Sequence, residues 1–357
     1  MTQKFFDRRI LAHDIVGDTD VYFSAMKANG LYVYNRNKGT TTCLGVFPGE
    51  ENTRHLHGAS VLYENEIYFA PVNGNNISVY NLKTNSFLTI PVSSCDSDAK
   101  SKYFDAHEWN GMIYFIPARA RNLLVMNPQN HEVKAFDGWM DLINKDAKGN
   151  APLVKKGSFF ANGHIFMPLG RESALISIDV ETFECEKIMI EGISTGIVDA
   201  KYCEEEDCLW LLLAGCGTVA KTNLKGRNTQ VFEPDMIQAD KKYEYPYLFM
   251  VDMGQTLVIP SYQAMWSYSF DKQTGKFTKI DLGEVDELKQ INWFAAHFFA
   301  KKIAKDRFVT ASTKDNMFEV YDANAQKIET WTCLGDARVF NESTEVGLKD
   351  FLDYLKG

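Results

Sequence analysis

The chain has 357 residues, 45% hydrophobic and 24% charged, enough apolar material for a packed core and too much for a disordered chain. Its formal net charge of −9 argues against nucleic-acid binding, which needs a basic footprint to release counterions. No apolar run approaches the about 20 residues of a membrane-spanning helix. The N-terminal stretch also lacks the layout of a signal peptide, so a cytoplasmic location is expected.

In chain order, short runs rich in Tyr, Phe, Ile and Val alternate with Asn, Gly and acidic turn residues, the pattern of hairpins. One apolar run recurs seven times and closes each time on an Asn or Asp. These are Asn35, Asn81, Asn127, Asp179, Asn223, Asp271 and Asp322, spaced by 46, 46, 52, 44, 48 and 51 residues. Spacings of this size mark propeller blades or arrays. The second unit reads as four strands: ASVLYE, EIYFAPV, NISVYNL and SFLTIPV. Four antiparallel strands repeated seven times predict an all-β, seven-bladed β-propeller over residues 1–340. The stretch NESTEVGLKDFLDYLKG (341–357) carries an N-cap and an apolar stripe, which predicts a C-terminal helical tail. If RRILAHDI forms the innermost strand of blade 1, every repeat makes its own blade. If KFFDR pairs with the last blade, the chain ends are stapled; both closures remain open at this stage.

The closes VYNLKTNSF (79–87) and SFDKQTGKF (269–277), with the second strand GMIYFIP (111–117), resemble the Kelch repeat over about residues 11–334. The chain departs from that pattern where the Gly-Gly pair is replaced by Ala-Pro, Ile-Pro or Met-Pro, and where the closing Trp is Phe, Val or Cys. The resemblance implies a propeller that serves either as a binding scaffold or, as in some Kelch-like proteins, as an enzyme.

In a propeller, the loops between the second and third strands and the blade-to-blade connections share one side, where ligands usually bind. The opposite side carries acidic turns such as CEEED (203–207). On the ligand side the expected binding residues are Arg54, His55, His57, Tyr103, Arg119, Arg121, Lys156, Arg171, Asp199, Tyr262, Trp266, Trp293 and His297. Arginine grips anions bidentately, and aromatic rings suit sugars. This reading gives a small anionic or sugar ligand, or a protein partner, at a basic and aromatic channel mouth.

The catalytic alternative is a lyase or hydrolase acting on acidic oligosaccharides. His55 and His57 lie two residues apart, as side chains on one face of a strand do, and His297 is placed at the equivalent position of another blade. Together they would hold a divalent Mn, Zn or Ca, with Tyr103 and Asp199 in the same register. Asp105, Glu172 and Asp199 are the ligand-side carboxylates available for hydrolysis. A third alternative is a pure protein-interaction scaffold. No G-x-S-x-G, Walker or dinucleotide fingerprint occurs. The seven scattered cysteines fit reduced thiols better than a disulfide framework or a zinc site.

Overall fold

The computed structural model describes residues 9–51, 53–92, 101–143, 156–215, 217–234, 246–283, 295–313 and 315–335. Seven antiparallel sheets stand around a central channel. Blade 2 shows the pattern, with strands His57–Tyr63, Glu66–Pro71, Asn76–Asn81 and Ser86–Pro91 running outward in sequence order. The innermost strands of blades 3 to 7 are Tyr103–Trp109, Phe159–Ala161, Ile197–Cys203, Val251–Asp252 and His297–Ala304. In blade 1 the three strands Asp20–Ser24, Leu31–Asn35 and Thr40–Gly45 are joined on the channel side by the segment before Val16, which bridges to Tyr22. The predicted tail at 341–357 lies outside the described residues.

Radial position decides composition. Cys208–Leu213 is buried at every residue, because a second strand has a neighbouring blade on both faces. The outermost strand Ser86–Pro91 alternates between exposed and half-buried residues. The apolar side chains gather, among the described residues, into seven clusters, one for each seam between blades.

The seven marker residues share one task. Asn35, Asn81, Asn127, Asp179, Asn223, Asp271 and Asp322 each sit at the close of a third strand. The side-chain Oδ1 of each accepts backbone N–H groups of the turn that follows, at 2.7–3.0 Å. These are Asx turns, in which a short side chain takes the place of a backbone carbonyl. The repeat in the sequence is therefore the repeat of a turn.

Blade 1 supplies its own innermost segment, and the two chain ends also meet; KFFDR (4–8), on which the second closure scheme rests, lies outside the described residues. The Ile10 N–H donates to the Cys333 carbonyl at 2.9 Å, and Arg9 bridges Leu334. Trp331 is buried against Tyr34, while Arg36 lies over the Trp331 ring and reaches Glu329 at 3.3 Å.

Candidate functional site at the channel mouth

The innermost strands are irregular at their ligand-side ends. Pairing slips by one residue after His57, Tyr103 and Ile197, so that Gly58, Phe104 and Val198 fall outside their ladders. A similar slip lies between His297 and Ala300. A bulge of this kind frees one side chain from the sheet and re-aims it. Phe104 and Phe298 enter the channel mouth in this way. They meet His13, Lys156 and Leu248 from the corresponding ends of blades 1, 4 and 6, around a cavity of about 220 Å³.

The cavity has two unlike walls. One is polar: His13, His55, Asn73 and Ser101 from blades 1 to 3 and their connections, with Lys156 from blade 4. The other is apolar, made by Leu248, Phe249 and Phe298 with the Tyr262 ring, and Phe104 stands between the two. The His13 Nε2 and the His55 Nδ1 are 2.6 Å apart, and the His13 ring meets Phe104 and Phe298 edge-on. One imidazole of this pair must donate and the other accept, so the pair carries at most one positive charge while it holds. Burial, and then the Arg54 charge, push the His55 pKa down. The Lys156 ammonium donates to the His13 carbonyl at 2.9 Å and lies 3.9 Å from Asp14 Oδ1. Burial lowers its pKa, against the pull of Asp14 and Asp105.

Three aspartates, Asp14 and Asp199 buried and Asp105 half-buried, sit below the cavity, on blades 1, 3 and 5. Each reaches across to the backbone of the next blade. Asp14 accepts from the Ser60 N–H at 2.8 Å, Asp105 from the Gly157 and Ser158 N–H groups at 3.2 Å, and Asp199 from the Met250 N–H at 2.6 Å. Each also has a basic neighbour: Lys301 at 3.0 Å for Asp14, His107 at 3.4 Å for Asp105 and Lys201 at 2.7 Å for Asp199. With those pairings made, Lys156 is the further cation of this group, and it is the one that lines the cavity.

Of the residues expected from sequence, His55, Lys156 and Tyr262 line the cavity. The three histidines of the expected metal site are not brought together among the described residues. His55 has a φ of +56°, which breaks the extended pleat before the strand begins and sends the two side chains apart. His57 is buried between blades 1 and 2, bonded to Ser24 at 2.8 Å and Ser78 at 3.2 Å, with its pKa pushed down by burial to about 3. His297 is buried opposite Ser312. Among the described residues no three His, Cys, Asp or Glu side chains converge to hold a metal ion.

Tyr103 is buried and donates to the Asn122 carbonyl at 3.1 Å. Asp199 shares its register with Asp105 rather than with Tyr103: each aspartate directly follows the one-residue bulge of its strand, and the counterpart of Tyr103 is Ile197. Arg54, Arg119, Arg121 and Arg171 are exposed and do not line the cavity; Arg121 pairs with Asp137 at 3.7 Å. The Trp266 ring lies under Lys279, also away from the cavity. Trp293 lies outside the described residues.

Sequence reasoning missed His13, Phe104 and Phe298. The signal was the recurrence of HDIV, FDAH and VDAK in blades 1, 3 and 5, which marks both the aspartate staple and the residue before it.

No family profile matches the sequence, and no curated protein is similar to it. Solved structures are similar in fold. A virginiamycin B lyase from Staphylococcus aureus matches with a TM-score of 0.59 and 13% identity, over 84% of this chain and 90% of that one. A chain of the mitotic checkpoint complex gives 0.59 and 8%, over 94% and 96%. Hsv2 of Kluyveromyces lactis gives 0.51 and 9%, over 89% and 97%. At these identities the likeness is one of propeller fold, and it is not to Kelch proteins in particular.

Proposed function

We propose that the chain is a binding propeller whose ligand is a small molecule with one acidic group on a compact apolar body, held in the channel-mouth cavity. The observation that carries this reading is the division of the lining. Donors on the blade 1–4 wall (Lys156, the imidazole pair, Asn73 and Ser101) face an apolar wall from blades 6 and 7. A carboxylate or similar anion would meet Lys156 and one imidazole, and the body would rest on Phe249, Phe298 and Tyr262. A cavity of roughly 150 Å³ takes a benzene ring, so about 220 Å³ suits one ring with a small polar group. An oligosaccharide needs more room and more hydrogen-bonding partners than this lining offers.

The test is calorimetric titration with a panel of aryl and branched alkyl carboxylates beside neutral sugars and acidic oligosaccharides. Carboxylates are expected to bind. Lys156→Met is expected to weaken that binding about 10- to 100-fold, the worth of a charge-assisted hydrogen bond. Binding of acidic oligosaccharides with no response to any small carboxylate would overturn the reading. A second reading has its own observation: Arg54, Arg119, Arg121 and Arg171 stand exposed around the same mouth and suit an acidic protein surface. Charge reversal at Arg119 and Arg171 would then abolish capture of such a partner and leave carboxylate binding intact.

A further inference from the structure

On the face opposite the cavity, the first hairpin of blade 5 closes between two cysteines. Cys203 ends the innermost strand, Cys208 begins the next, and the two are direct partners in the antiparallel register. Opposed residues in such a ladder have Cα atoms about 4.5 or 5.5 Å apart, depending on the type of pair. Both values fall within the Cα range of about 4.4–6.8 Å that a disulfide accepts. Directly opposed side chains also share a sheet face, and both cysteines pack into the apolar cluster between blades 5 and 6. Both are free thiols. They differ in access: Cys203 is half-buried, whereas Cys208 is buried with its Sγ 3.8 Å from Glu206 Oε2.

Charged side chains surround this corner. Lys221 pairs with Glu206, and both Lys221 and Lys272 lie over the Trp210 ring, 5.1 and 5.9 Å from its centre. Burial nevertheless pushes the Cys208 thiol up to about 11, with Lys221 acting in the opposite direction. The more accessible sulfur, Cys203, is the one that attacks, and the buried Cys208 is the resolving one.

We propose that Cys203 and Cys208 form a reactive dithiol that a small-molecule disulfide closes into a cross-strand bond at the blade 5 turn. The Cys203 thiolate attacks one sulfur of the incoming disulfide, and a mixed disulfide forms as the first small thiol leaves. Cys208 then gives up its proton and attacks Cys203 Sγ, and the second small thiol leaves. One disulfide is reduced to two thiols, and two protein thiols are oxidised to one disulfide. The site is remote from the cavity and does not depend on the ligand assigned to it.

The test uses the full chain carrying Cys216→Ser, which removes the next cysteine in the sequence. The protein is incubated with oxidised glutathione, its remaining thiols are alkylated, and the intact mass and fragment spectra are recorded. The expected product has lost two hydrogens, carries no glutathione, and shows fragment ions interrupted between residues 203 and 208 until it is reduced. Adding Cys203→Ser is expected to abolish the product. Adding Cys208→Ala, which should fold because the site is apolar, is expected to leave glutathione bound at Cys203. A stable glutathione adduct in the chain that keeps both cysteines, an unreacted chain, or a two-hydrogen loss that survives Cys203→Ser would each overturn the proposal.

Discussion

The seams between blades 1 and 2, 3 and 4, and 5 and 6 share one device, and the seam between blades 7 and 1 has another. In the first three, an aspartate of the odd blade accepts backbone N–H groups from the even one. Seven blades cannot be divided into such pairs, and blade 7 is left over. It joins the scheme through Lys301, which donates to Asp14 Oδ1 at 3.0 Å and to the Ile15 carbonyl at 2.7 Å. Asp14 thus binds both of its neighbouring blades and lies 3.9 Å from Lys156 of blade 4. Asp105 and Asp199 each hold a single seam. A ring of odd number makes one of three similar residues the point where it closes.

The sharpest way to break this comparison is to remove the three carboxylates in turn and measure chemical denaturation. Asp14→Ala is expected to cost most, about 3–5 kcal/mol, because it leaves Lys301 and Lys156 without their shared partner. Asp105→Asn and Asp199→Asn are expected to cost about 1–3 kcal/mol each, the range for a buried donor left poorly satisfied. Equal losses at all three positions would show that Asp14 holds no special place.

The next effect is in pH. Burial alone would raise all three carboxyls. Lys301 and Lys156 nevertheless hold Asp14 below the ordinary value, and His107 does the same for Asp105. For Asp199, burial outweighs Lys201 and the acid is raised. Asp14 and Asp105 therefore contribute fully above the unfolded carboxylate pKa, and their contribution is lost as pH falls through the folded values. Asp199 has the opposite sign: its ionised form is disfavoured by folding, and acid relieves that. Asp199→Asn should accordingly be the least costly of the three at neutral pH, and its relative cost should grow as the solution is acidified.

His57 supplies an independent slope. Its pKa falls from an ordinary 6.5 to about 3, so the folded chain loses stability as pH drops through that window. The limiting slope is about 1.4 kcal/mol per pH unit. Urea midpoints measured across the window should show this dependence, and His57→Gln, which keeps hydrogen-bonding groups near Ser24 and Ser78, should flatten it.

The smallest effect is expected at the outer edge of the closing seam. Arg36→Ala removes a partly exposed ion pair with Glu329 and a cation over Trp331, worth about 0.5–1 kcal/mol together. A loss as large as that at Asp14 would move the ring's closure from the channel to its rim.

The blade count was legible because its marker residues perform a local task. An Asx turn is set by a side chain and the few residues after it, and Asn81 and Asp271 announce theirs without reference to the rest of the fold. The cavity was legible only in part. Lys156, His55 and Tyr262 were found by sorting loops between faces, which topology alone permits. Phe104 was missed, because a one-residue slip in pairing leaves no mark on an alternating pattern. The positive φ of His55 separated a His-X-His pair that a regular strand would have kept together. The arginines are exposed and outside the cavity lining, and sequence does not say whether a loop side chain points inward or out.

The bulges also bear on how such a ring can change. A residue outside the ladder is not matched to a partner strand, so replacing Phe104 or Phe298 leaves the hydrogen bonding of its blade as it was. Blade 2 is the exception: a Cβ on Gly58 would lie 2.6 Å from the Tyr103 carbonyl oxygen, so that position is barred to side chains. The mouth thus resembles a dial with movable settings at blades 3 and 7 and a locked one at blade 2. Single substitutions at Phe104 or Phe298 would reshape the cavity without disturbing the strand pairing.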